Sequence, residues 1–149
     1  MRTCGVEITG SEVLLCLLTK EEDVFDIRDV RQTRFTLGQV GQDTEDMRKF
    51  QFDFAKLLED YQIDSVAIKQ RAPKGKFAGS ATGFKIEAAI QLIKDVDVKI
   101  LSATEIKEQL KRNPLPIDFE ETGLKKYQET AFVNAYVYIM MKTYRPEEL

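Results

Sequence analysis

Residues 3–9 alternate, with Cys4, Val6 and Ile8 on one face and Gly5, Glu7 and Thr9 on the other. A period of two predicts a strand with one buried face. Gly10-Ser11 reads as a tight turn, and residues 13–18 are apolar on both faces, which predicts a strand covered on both sides. A polar turn follows at Lys20–Asp23, and a third strand is expected within residues 30–37. Then the period changes. Met47, Phe50, Phe54, Leu57, Leu58 and Tyr61 recur at three- and four-residue steps, predicting a helix from Thr44 to Tyr61 capped by Asp43. Residues 64–69 read as a fourth strand with Val66 and Ile68 on one face, and Gln70–Gly79 as a loop broken by Pro73, Gly75 and Gly79.

A second helix is expected over Ala81–Lys94, with Phe84, Ala88, Ala89, Leu92 and Ile93 turned inward. Val96–Leu101 is the fifth strand, and Ser102 with Glu105 forms a capping-box pattern opening a helix to about Arg112. Prolines 114 and 116 stop it. A last helix is expected over Thr122–Thr143, with Leu124, Tyr127, Ala131, Ala135, Tyr138 and Met141 on one side. Phe132 and Tyr136 fall on the other side, which suits either a fully buried helix or an interface, such as a homodimer. The order βββαβαβαα predicts an α/β fold, a mixed five-stranded sheet flanked by helices.

With 149 residues the expectation is a single domain spanning 1–149, large enough to fold without a disulfide or metal. No apolar run approaches 18 residues, so no membrane span is expected. The amino terminus lacks an apolar signal-peptide core, and the only cysteines are Cys4 and Cys16, so the expected compartment is the cytoplasm. A hairpin about Gly10-Ser11 is expected to bring the two thiols near one another as buried small hydrophobes.

The chain has no histidine, which removes serine–histidine and cysteine–histidine dyads, imidazole-ligated metals and histidine pH switches. Its net charge of −3 exerts no global pull on nucleic acid. Distribution is more informative. Residues 21–29 hold five acids against Arg28 alone, whereas residues 65–86 hold Lys69, Arg71, Lys74, Lys76 and Lys85 and no acid.

Four segments carry a resemblance. Gly5-Val-Glu7-Ile-Thr-Gly10-Ser11, Val66-Ala-Ile-Lys69-Gln70, residues 100–107 and Ala131-Phe-Val-Asn134-Ala135 resemble, in order, the first strand, fourth strand, fifth strand with its helix, and last helix of RuvC-type Holliday-junction resolvases. The resemblance spans nearly the whole chain and implies the ribonuclease-H-like fold. The chain as a whole also resembles a small gammaproteobacterial family of unknown function placed in that fold.

Enzymes of this fold hold two divalent cations roughly 4 Å apart with three or four carboxylates. Carried over residue by residue, the resemblance puts Glu7 at the first acidic position, Lys69 at the second, and Ala131 and Asn134 at the last two. Only Glu7 is an acid, so the chain is read as catalytically degenerate, with no cofactor, no metal beyond what Glu7 alone offers, and Lys69 neutralising Glu7 in a salt bridge. Asp64, Glu87 and Glu129 are spare acids that a rearranged site would have to recruit.

The basic loop 69–80 is the other candidate. Arg71, Lys74 and Lys76 supply cations for DNA or RNA phosphates, Phe77 a stacking ring, and the amides near Gly79 and Ser80 the start of a helix. Gly75-Lys76 lacks the spacing of a P-loop. Three functions follow: a non-catalytic nucleic-acid-binding module (or one meeting a nucleic-acid-handling partner), a magnesium- or manganese-dependent nuclease built around Glu7, and a protein-interaction module.

Overall fold

The computed structural model describes residues 1–37, 44–74 and 79–149. The expected cap Asp43, and Lys76 and Phe77 of the basic loop, lie outside the described residues.

Strand β1 (Arg2–Thr9) turns into β2 (Glu12–Glu21) through Gly10 and Ser11, with Thr9 paired to Glu12. Gly10 takes φ +60°, a left-handed conformation that a two-residue hairpin loop demands and that glycine adopts without steric cost. Residues 13–19 of β2 are all buried, as an apolar run without alternation requires.

Two short strands share the outer edge of β2 where one was expected. β3 (Val24–Arg28) pairs with its second half and β4 (Arg34–Thr36) with its first. The acidic stretch conceals β3: Val24, Asp26 and Arg28 face solvent while Phe25 and Ile27 turn inward. β4 is held by one ring. Phe35 packs edge-on against Phe50 and Phe54 at 5.8 and 5.6 Å between centroids.

Helix α1 (Thr44–Asp60) buries Phe50, Phe54, Leu57 and Leu58, the expected stripe. β5 (Ser65–Lys69) then pairs parallel to β1, and β6 (Asp97–Leu101) parallel to β5. The sheet order is β3-β2-β1-β5-β6, with β4 also on β2. Between β5 and β6 lies α2 (Ala81–Gln91), whose buried face is Thr82, Gly83, Ile86 and Ile90 rather than the expected one. The helix ends three residues early, Leu92 is 73% exposed and Ala88 is exposed; Ile86 and Ile90, four apart, set the packed stripe. Only Ala89 and Ile93 of the expected set pack against that core.

Helix α3 (Ala103–Arg112) begins at the anticipated capping box, with Ser102 and Glu105 exchanging hydrogen bonds of 3.0 and 2.9 Å. Helix α4 (Glu129–Tyr144) starts later than expected. Its lead-in splits into two 3-10 turns, Phe119–Thr122 and Lys126–Gln128, because Gly123 at φ +77° ends the first. Every residue from Asn134 to Met141 is buried. The aromatic positions that suggested an interface are therefore spent inside the chain: Phe132, Tyr136 and Tyr138 are each 4% exposed.

Two cores result. One lies between the sheet and α1 with α2, the other between the sheet and α4 with α3. Cys4 faces the first and Cys16 the second, so the thiols project from opposite faces instead of meeting, since Cys16 stands opposite Gly5 and Cys4 opposite Leu17. Burial pushes both thiols up, Cys16 to about 12, which keeps them protonated. Among the described residues no helix is long and apolar enough to cross a membrane.

Candidate nucleic-acid interface at the carboxyl edge of the sheet

β1, β5 and β6 are parallel, so their carboxyl ends meet at one edge. The chain leaves that edge in different directions, toward β2, α2 and α3, and opens a cleft of about 620 Å³ lined by Glu7, Gly10, Lys69, Arg71, Ser80 and Ala103, among others. Ligand crevices of open α/β sheets form at this position.

The packing beneath the cleft places α4. A Cβ on Gly5 would collide with the carbonyl of Ala131 and lie 2.8 Å from the nitrogen of Ala135. Only glycine lets the α4 backbone lie directly on β1. Asn134 fastens that contact by donating from Nδ2 to the Val6 carbonyl at 2.8 Å. Asn134 is 1% exposed, and among the described residues its Oδ1 has no partner. Its amide binds the helix to the strand, behind the cleft.

Val6 is paired with Ile68, and one step on, Glu7 and Lys69 come level at the cleft. Glu7 is half-buried and Lys69 exposed. The expected salt bridge between them does not form: among the described residues neither enters an ion pair. An exposed ammonium gains little from such a pair over water.

The spare acids are elsewhere. Asp64 accepts from the Arg2 amide at the opposite end of β5, and Glu129 pairs with Lys126. Glu87 lies on α2, where burial raises its carboxyl above the ordinary range against the pull of Arg71. Among the described residues, no three acids or cysteines gather as metal ligands. A divalent pair requires several anionic oxygens. One carboxylate, one ammonium and a buried amide committed to Val6 do not fit it.

The basic loop divides. Lys74 is exposed. Ser80 caps α2, its Oγ accepting from the Gly83 amide and donating to the Gly10 carbonyl, both at 3.0 Å, so its hydroxyl ties the helix to the hairpin turn. The Gly79 amide, expected to face a phosphate, donates to the Ala72 carbonyl at 2.8 Å. Arg71 turns inward: Nη2 donates to the Ser80 carbonyl at 3.0 Å and Cζ lies 4.7 Å from the centre of the Phe84 ring. Desolvation lowers its pKa, with Glu87 opposing. The sequence reading missed the part played by Gly83, whose only trace was a glycine inside a helical pattern.

The same architecture recurs in solved structures. Thermus thermophilus RuvC superposes with a TM-score of 0.73 at 12% identity over 96% of each chain. The Fowlpox virus resolvase, solved with substrate Holliday-junction DNA, gives 0.57 at 14% identity over 97% of this chain and all of its own. The yeast mitochondrial Holliday junction resolvase Ydc2 gives 0.52 at 13% identity over 97% of this chain and 83% of its own. The resemblance in fold to RuvC-type resolvases is thus confirmed. No curated protein sequence matches the chain. One family model does, over residues 1–138, and the chain belongs to that family: DUF3010, protein of unknown function.

Proposed function

We propose that this ribonuclease-H-like protein binds nucleic acid at the carboxyl-edge cleft without cleaving it. The observation that carries the reading is Lys69, level with Glu7 at the end of β5, where a metal-dependent member of the fold would need an anionic ligand shared between two cations. A lysine there repels divalent ions and attracts the phosphate that those ions would otherwise hold. Lys74, exposed on the following loop, adds a second sequence-independent phosphate contact. The resolvase neighbours bound to Holliday-junction DNA make a branched duplex the first ligand to try.

The test is fluorescence anisotropy with a fluorescein-labelled DNA four-way junction and an RNA hairpin, in EDTA and at low salt. Wild-type protein is expected to bind, and Lys69→Ala and Lys74→Ala to weaken binding and each lower the salt slope by about one. Absence of binding to both probes at low salt overturns the reading. Manganese-dependent cleavage abolished in Glu7→Gln would establish instead a nuclease built around Glu7.

A further inference from the structure

Arg71 lines the cleft half-buried, with Nε and Nη1 of its guanidinium turned in and cut off from solvent. The guanidinium fills a cradle made by absent side chains: a Cβ on Gly79 or on Gly83 would run into it. Phe84 supplies one wall and the Ser80 carbonyl accepts one hydrogen bond. The stowage is incomplete. Among the described residues Nε and Nη1 have no acceptor and are cut off from solvent, so the three N–H donors they carry go unused. Glu87, the anion whose charge acts on Arg71, does not form an ion pair with it, and its own Oε1 is buried without a partner among the described residues. A cation so poorly compensated is held by shape more than by bonding, and phosphate oxygens offer the charge-assisted acceptors that the cradle lacks.

We propose that Arg71 is a stowed phosphate contact: a nucleic-acid phosphate entering the cleft draws the guanidinium out of the Gly79–Gly83 cradle, so that the site gains this further cation only when occupied. This rests on the reading of the cleft as a nucleic-acid site. The stowed fraction lowers the apparent affinity, and anything that empties the cradle beforehand raises it. Gly83→Ala is the direct means. The three nearest atoms it meets all belong to the free end of the flexible Arg71 side chain, and alanine is the better helix former. Gly79→Ala empties the same cradle from the loop side and serves if Gly83→Ala does not fold.

Two readouts are needed. The first is phenylglyoxal labelling of Arg71, followed by peptide mass spectrometry without nucleic acid. Arg71 is expected to be protected in the wild type and labelled in Gly83→Ala. The second is anisotropy with the four-way junction in EDTA. Gly83→Ala is expected to bind about fivefold tighter, a gain at the low end of typical coupling, and Gly83→Ala/Arg71→Ala to lose that gain. A folded Gly83→Ala that binds no tighter, or a double variant that keeps the gain, overturns the proposal. Labelling separates the two ways to fail: an unprotected Arg71 with normal wild-type binding removes the stowed contact alone. A protected Arg71 with no binding by either chain removes the nucleic-acid reading and the stowed contact together.

Discussion

Gly5 and Glu7 stand two residues apart on the same face of β1, and their surroundings are opposites. At Gly5 the backbone of α4 is so close that a methyl group has no room, whereas at Glu7 the helix has passed and the sheet opens into a cleft of about 620 Å³. Both belong to the Gly-x-acid motif that resembles the first strand of resolvases, but they answer different demands. The glycine is required by helix-on-strand packing whatever the protein does. The acid makes no ion pair among the described residues that would tie it to the fold. The glycine therefore reports the architecture, and the chemistry is reported by the charged residues that line the cleft, which among the described residues are Glu7, Lys69 and Arg71.

The contrast can be broken most severely at its closed end. Gly5→Ala is expected to lose about 3 kcal/mol, the upper range for overpacking, because the obstructing atoms are backbone and cannot step aside; urea denaturation measures it. Asn134→Ala removes the tie between α4 and the Val6 carbonyl and is expected to cost about 2 kcal/mol, as a buried hydrogen bond broken on one side does. At the open end the same scan should be almost flat. Lys69→Ala is expected to change stability by less than about 0.5 kcal/mol while weakening nucleic-acid binding. A large loss of stability there would mean that Lys69 supports the fold and that the division between scaffold and cleft is drawn in the wrong place.

The smallest expected effect is a pH dependence. Burial raises the carboxyl of Glu87 above its unfolded value. Its contribution to stability is therefore fully present below the ordinary carboxylate range and is lost as pH rises through the raised folded value. Glu87→Gln cannot ionise, so thermal melts across the acid range should show that decline in the wild type and not in the variant.

How far the sequence could be read followed the same division. Strands β1, β2 and β5 and helices α1 and α3 were legible because each carries its own period, apolar run or cap. β3 was not, because its outward Asp26 and the acids beside it read as a solvated charge run while Phe25 and Ile27 went uncounted. The buried face of α2 was misassigned because Gly83 adds nothing to a hydrophobic stripe, although it lies inward. For the site, the placing of Glu7 and Lys69 together was implied by the resemblance to resolvases and not by any local pattern. Their failure to pair was not implied, nor was the cradle of Arg71, which joins that residue to positions eight to sixteen residues later in ways that no local pattern encodes.

The most direct test of the cleft as a metal-free phosphate site is the affinity for the four-way junction measured in EDTA and again in manganese at matched ionic strength, with the DNA recovered afterwards. Equal affinity in the two buffers, uncut DNA, and a loss in Lys69→Ala are the expected result. Binding that requires manganese, or DNA cut by the wild type and left intact by Glu7→Gln, would contradict it.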